Sequence, residues 1–212
     1  LYSAATNGIV DYVVRLSVPG NMTLAAGCTN YLYSHWTNGG APLLEMQDLT
    51  VASGAVVTAD AGGFGGGMPN GVAGRGPGAP GRTVVGDVTG GGGGYGGIGG
   101  ACQHHAGGST YGASNAPTLA GSGGDPGGGG AVGGRGGNGG GAIRIAARGT
   151  VTLNGTISAN GENTFENQMY GGAGSGGGIW ITCKAFQGSS GILRANGGAR
   201  WDPQAGEGGG GR

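Results

Sequence analysis

Sixty-one of the 212 residues are glycine, and they are clustered rather than dispersed. Runs fill 90–94, 127–130 and 208–211, while the short β-like segments between runs contain almost none. Glycine loses more backbone freedom on folding than any other residue. A chain this rich in it orders only where the glycines stand at points that no side chain can occupy. That requires main chain packed on main chain, a structural specialisation that points away from enzyme chemistry.

The segments between the runs repeat. Ala142-Ile143-Arg144-Ile145-Ala146-Ala147-Arg148 leads through Thr150-Val151-Thr152-Leu153-Asn154-Gly155 to Thr156-Ile157-Ser158-Ala159-Asn160-Gly161. Thirty-six residues on, Ile179 and Ile181 replace Ile143 and Ile145, and Ala195-Asn196-Gly197 replaces Ala159-Asn160-Gly161. A looser copy runs from Leu43-Leu44-Glu45-Met46 through Leu49-Thr50-Val51 to Val56-Val57-Thr58-Ala59-Asp60, with about one extra residue at the Ala52-Ser53-Gly54 turn. A degenerate copy spans Tyr12 to Val18 and Met22-Thr23-Leu24. The apolar period is 2, not 3.6, so these are strands, and no stretch carries a helical apolar stripe. Asn154-Gly155 suits a tight hairpin or a corner between two strands of one coil. Three short strands and two corners at a fixed period suit one turn of a parallel β-helix, its coils stacked about 4.8 Å apart.

Glycine-rich excursions follow each strand unit. Flexible linker is the default for such composition. A collagen triple helix fails, because glycine does not hold every third place. A bundle of polyproline-II-type segments satisfies the main-chain donors and acceptors, since glycine faces let backbones approach and pair. The expected fold class is therefore all-β, a parallel β-helix-like solenoid with glycine-rich polyproline-II-type excursions and essentially no α-helix. Residues 1–40 are expected as an N-terminal β segment, a cap or a donated strand, and residues 41–212 as the solenoid.

Charged residues make up 9% of the chain, against about 25% in ordinary domains, and the formal net charge is zero. Lys184 is the sole lysine. There is no basic patch for nucleic acid and no apolar run near the ~20 residues of a membrane span. The chain opens Leu1-Tyr2-Ser3 with no basic-then-apolar leader, so it is expected to be processed or cut from something longer. Few lysines beside abundant Gly, Thr, Ser and Asn suggest an extracellular or cell-surface setting. Three cysteines, Cys28, Cys102 and Cys183, allow one disulfide plus a thiol, a bond between subunits, or simply small buried side chains.

The unit Gly139-Gly140-Gly141-Ala142-Ile143-Arg144-Ile145-Ala146, with Val151 to Gly161, a glycine loop and Gly176-Gly177-Gly178-Ile179-Trp180-Ile181, resembles repeats of secreted and surface-attached bacterial glycine-rich β-helix proteins. The resemblance covers roughly residues 40–212. It implies an extracellular, adhesin-like or matrix-forming role. The style of alternating strands and glycine helices is also similar to phage long-tail-fibre tip adhesins and to the glycine-rich domain of anaplastic lymphoma kinase receptors. No functional residue carries over from these.

Parallel β-helices also host polysaccharide lyases and hydrolases, whose chemistry needs clustered carboxylates. Here no two acids adjoin, and Asp48 and Asp60, near corners, read as solvated turn acids. His104 and His105 follow Cys102 but lack the second ligand pair of a zinc site. With Tyr95 and Tyr111 they make a polar, aromatic island in the longest glycine tract, a candidate contact surface. Asn21 and Asn154 head glycosylation sequons. Trp36, Trp180 and Trp201 are candidate sugar-stacking platforms, with Trp180 also read as the outward side of a sheet. No cofactor, metal or catalytic residue is expected. The expected role is a non-enzymatic extracellular structural or adhesion protein that self-associates, into a filament or smaller homo-oligomer, or that meets a cell-surface glycan or protein. The alternatives are a receptor-binding tip and, less favoured, a polysaccharide-active enzyme.

Overall fold

The alternating and β-branched segments form twelve short strands, and no helix, in a computed structural model that describes residues 14–69, 71–81, 89–104, 106–128, 134–165 and 170–212. The strands wind into four coils of three. The first coil holds β1 (Arg15–Ser17), β2 (Met22–Leu24) and β3 (Thr29–Tyr31); the second holds β4 (Leu43–Met46), β5 (Leu49–Val51) and β6 (Val56–Thr58). The third holds β7 (Ala142–Ala147), β8 (Thr150–Leu153) and β9 (Thr156–Ser158); the fourth holds β10 (Gly178–Thr182), β11 (Ala185–Gln187) and β12 (Ile192–Arg194). Stacking gives three parallel four-stranded sheets, in the orders β1-β4-β7-β10, β2-β5-β8-β11 and β3-β6-β9-β12.

The register follows the sequence repeat. Ile179 pairs with Ile143 and Ile181 with Ile145. Leu44 pairs with Ile145, 101 positions on, but Val57 pairs with Ile157, 100 positions on, so the second coil holds one residue more than the third. Asn154-Gly155 is a corner between β8 and β9, not a hairpin. From Arg15 onward the N-terminal segment supplies the first coil, paired in register with the second. The degenerate copy's Tyr12 and Val13 lie outside the described residues.

Inward side chains of the second and third coils, among them Leu44, Leu49, Val51, Val57, Ile143, Ile145, Val151 and Ile157, are at most 1% exposed and form one core. Each such side chain is worth about 1.5–3 kcal/mol of burial. The corners are tied by side-chain ladders. Asp60 Oδ1 accepts the Asn160 N–H at 2.6 Å, and Asn160 Oδ1 accepts the Asn196 N–H at 2.9 Å. Asp48 Oδ1 accepts the Thr150 N–H at 2.6 Å, and Asn154 Oδ1 accepts the Ser189 N–H at 2.9 Å. The reading of Asp48 and Asp60 as merely solvated turn acids is thus corrected: each bonds the coil above it.

The glycine tracts pack beside the coils as a bundle of extended segments with a period of three. In segment 170–177, Gly172 and Ser175 donate to Asp125 and Ser122, Ala173 and Gly176 donate to Gly206 and Gly209, and Gly174 and Gly177 donate to Glu162 and Ala159, all within 2.7–3.1 Å. Its carbonyls accept from three further segments: Gly137 and Gly140 donate to Gly172 and Ser175, Gly93 to Ala173, and Gly198 to Gly174. One segment therefore has six hydrogen-bonded neighbours, as a three-residue helix requires.

None of the glycines from Gly171 to Gly178 has a positive φ. Glycine is demanded there by space, not by backbone conformation. A Cβ on Gly174 would lie 1.9 Å from the Asn138 oxygen, whereas one on Gly210 would meet nothing within 4 Å. Gly174→Ala is expected to destabilise the fold by at least the 1–3 kcal/mol typical of overpacking. Gly210→Ala is expected to stay within about 0.5 kcal/mol of the parent. Paired thermal melts of the two variants check this.

Candidate functional site

The tyrosines of the expected contact island do meet, but inside the bundle. Gly94 leads directly into Tyr95, which is 0% exposed. The Tyr95 and Tyr111 rings lie 4.9 Å apart at 53°, a tilted pair of the kind aromatic quadrupoles favour. The half-buried Tyr111 hydroxyl donates to the Ala120 carbonyl and accepts from Ser122 Oγ at 3.0 Å, while Ser122 Oγ also accepts the Gly78 N–H at 2.9 Å. The Arg212 guanidinium sits 5.8 Å from the Tyr95 ring centre. A surface-contact role for Tyr95 is corrected accordingly: its ring fills the bundle interior. His104 is exposed at the rim, and His105 lies outside the described residues.

No disulfide joins Cys28, Cys102 and Cys183. Cys28 lies in the first coil and Cys183 at the end of β10 in the fourth. Three coil spacings, about 14 Å, exceed the ~7 Å Cα reach of a disulfide. Of the two sequons, Asn21 is exposed, whereas Asn154 is tied into its corner ladder. Trp180 stacks over Arg144 on the outward side of its sheet, 6.0 Å from ring centre to guanidinium.

The most distinctive exposed feature is the outer edge of the fourth coil. β10, β11 and β12 each pair on one side only, with β7, β8 and β9. Phe186 stacks on Val151 and Leu193 on Ile157. Val151 and Ile157 are 0% exposed, whereas Phe186 and Leu193 are 51% and 50% exposed. The inward column of the core thus emerges uncovered beside the outer edges of β11 and β12, whereas β10 is partly covered: its Ile179 N–H donates to the Arg212 carbonyl at 2.9 Å. Such an edge is a template for another strand layer. Phe186 and Leu193 carry the same alternating signature as buried strand residues, so nothing local in the sequence marks them as terminal.

Comparison of the chain with protein-family models, with curated proteins and with solved structures gives no match.

The buried tyrosines give a pH signature. Burial pushes the Tyr95 hydroxyl up to about 12, and burial pushes that of Tyr111 up as well. In the unfolded chain both titrate near 10. Above that pH the unfolded chain has released protons that the folded chain retains, so stability falls as pH rises from about 10 to 12. Melting temperatures measured across that window are expected to decline, and the decline is expected to be shallower in Tyr95→Phe.

Proposed function

We propose that this chain is a non-enzymatic structural and adhesive module of the cell exterior, a rigid glycine-packed block that stacks end to end through the open edge of its fourth coil. The observation that carries this reading is the emergence of the core column at Phe186 and Leu193. A parallel coil has different faces at its two ends, so stacking is heterologous and propagates as a filament rather than closing a ring. The first coil offers a matching triangle of three parallel strands with half-buried Val18, Met22 and Leu24 on the core.

The carboxylates support a non-catalytic role. Every described acid is bonded to the scaffold. Glu45 pairs with Arg15, Glu162 with Arg135, and Glu207 with Arg200. Asp48, Asp60, Asp125 and Asp202 accept main-chain N–H groups of Thr150, Asn160, Gly74 and Gln204. These acids brace corners and segments instead of converging on a cleft. Among the described residues, no group of three or more His, Cys, Asp or Glu could hold a metal ion. The extracellular setting rests on composition: one lysine, low charge and small polar side chains.

The test is assembly state. Concentration-dependent linear particles are expected by light scattering and negative-stain microscopy. The double variant Phe186→Asp with Leu193→Asp, placed at half-exposed sites, is expected to keep its circular dichroism spectrum and remain monomeric. Dispersed monomers of the parent chain at high concentration contradict the stacking role.

A further inference from the structure

The end of β3 and the link that follows it carry three aromatic residues within six positions: Tyr31, Tyr33 and Trp36. Tyr31 and Trp36 are 53% and 54% exposed. In a chain with 6% aromatic residues, this is a local concentration of aromatic surface, and contiguous exposed apolar patches mark interaction sites. Tyr33 and Tyr31 are tilted neighbours, 6.0 Å between ring centres. Trp36 carries the Arg75 guanidinium 4.6 Å from its ring centre.

Between Tyr33 and Trp36 lies an open recess of about 170 Å³, floored by Gly62 and Gly63 and bounded by Ser34 and Asn138. Glycines let the two rings seat directly against the main chain. A Cβ on Gly62 would lie 2.4 Å from the Tyr33 ring, and one on Gly65 would press on Trp36 at 3.2 Å. The polar group at the wall is fixed. Asn138 Oδ1 accepts the Gly66 N–H at 2.9 Å. Because that partner is a donor, the facing amide atom is the oxygen, and the NH₂ group is turned away from it. The Asn138 main chain is held in turn, its N–H donating to Glu162 Oε2 at 2.9 Å and its carbonyl accepting the Glu162 N–H at 2.8 Å. The donor is thus preorganised on the rigid bundle, which lowers the ordering cost of binding.

We infer that this recess is a binding subsite for a neutral hexopyranose unit of a glycan. Its volume is of the order of one sugar ring. The residues lining it are uncharged, and the neighbouring Arg75 guanidinium is engaged on the Trp36 ring, which favours a neutral ligand over a charged one. The Tyr33 and Trp36 rings offer apolar faces to the C–H face of a pyranose, and the Asn138 amide offers a donor to a ring or hydroxyl oxygen. Tyr31 extends the aromatic track by one position, the direction in which a second sugar unit of the same chain would lie. This site goes beyond the stacking role and does not rest on it.

The test is calorimetric titration of the whole chain with neutral hexasaccharides of glucose, mannose and N-acetylglucosamine, with an acidic heparin-derived hexasaccharide as counter-probe. At least one neutral hexasaccharide is expected to bind at millimolar concentration or below. Trp36→Ala is expected to weaken it about tenfold or more, and Trp201→Ala, at the other exposed tryptophan, to leave it unchanged. Asn138→Asp keeps the acceptor for the Gly66 N–H but deletes the donor, so it is expected to lose binding without losing the fold. If Trp36→Ala does not fold, Trp36→Phe and Asn138→Asp carry the comparison. Absence of binding by every neutral probe, binding of the acidic probe alone, or neutral binding indifferent to both Asn138→Asp and the Trp36 variants overturns the inference.

Discussion

Main-chain N–H to carbonyl bonds between glycine segments, distributed by a period of three, are the interaction on which this architecture depends. Segment 170–177 shows why. Its successive N–H groups rotate through three neighbours, and its carbonyls accept from three others. Buried peptide groups must be paired somewhere, and an extended three-residue helix has no internal bonds to offer. The bundle answers that demand only if neighbouring backbones come close enough to bond on all sides. Atoms at Cβ positions would collide with carbonyl oxygens, as at Gly172, Gly174 and Gly177, so glycine is required by packing. The entropy that glycine loses on folding is offset by saturated hydrogen bonding. The few side chains inside the bundle are small or specifically accommodated: Ser175 Oγ takes the Ser122 N–H at 2.8 Å, opposite the bare Gly121.

The same bond joins bundle to coil. The Ala59 N–H donates to Ser158, the Gly141 N–H donates to Ala59, and the Gly177 N–H donates to Ala159, so each strand unit runs into its glycine segment without a break in pairing. The hydrogen-bonding distance that sets the spacing of stacked coils, about 4.8 Å, also sets the contact between bare segments. The coil contributes what the bundle lacks, an apolar core from Leu44 to Ile157. The bundle in turn clamps long excursions that would otherwise be loose loops between the second and third coils. The same bonding fixes the Asn138 side chain, whose Oδ1 accepts the Gly66 N–H.

Much of the fold was legible because its determinants are periodic. The offset of 36 between Ile143 and Ile179 became the strand register itself. The surplus residue of the second coil is visible in sequence, since corners tolerate insertions where strands do not. Conformation of the glycine tracts followed from demanding partners for their peptide groups. Exposure was not legible. Tyr95 and Tyr111 are islands in a glycine run, yet their surroundings come from Leu119 and Ser122, which fold back onto them, and from Arg212, far along the chain. Phe186 and Leu193 are patterned like core residues, and only their place in the fourth coil exposes them. Asp48 and Asp60 looked like turn acids because a ladder bond to a coil 100 residues away has no local signature.

Whether the glycine segments are bonded on all sides is read by hydrogen–deuterium exchange of the Gly172 to Gly177 amides, set against those of Ile143 and Ile145 in β7. If the side-chain-free segments are a mutually bonded solid, their amides will exchange as slowly as those of the central strands and open only with global unfolding. Exchange at rates near those of an unstructured peptide, with the strand amides still protected, would show that the glycine tracts are loose appendages and not a bonded bundle.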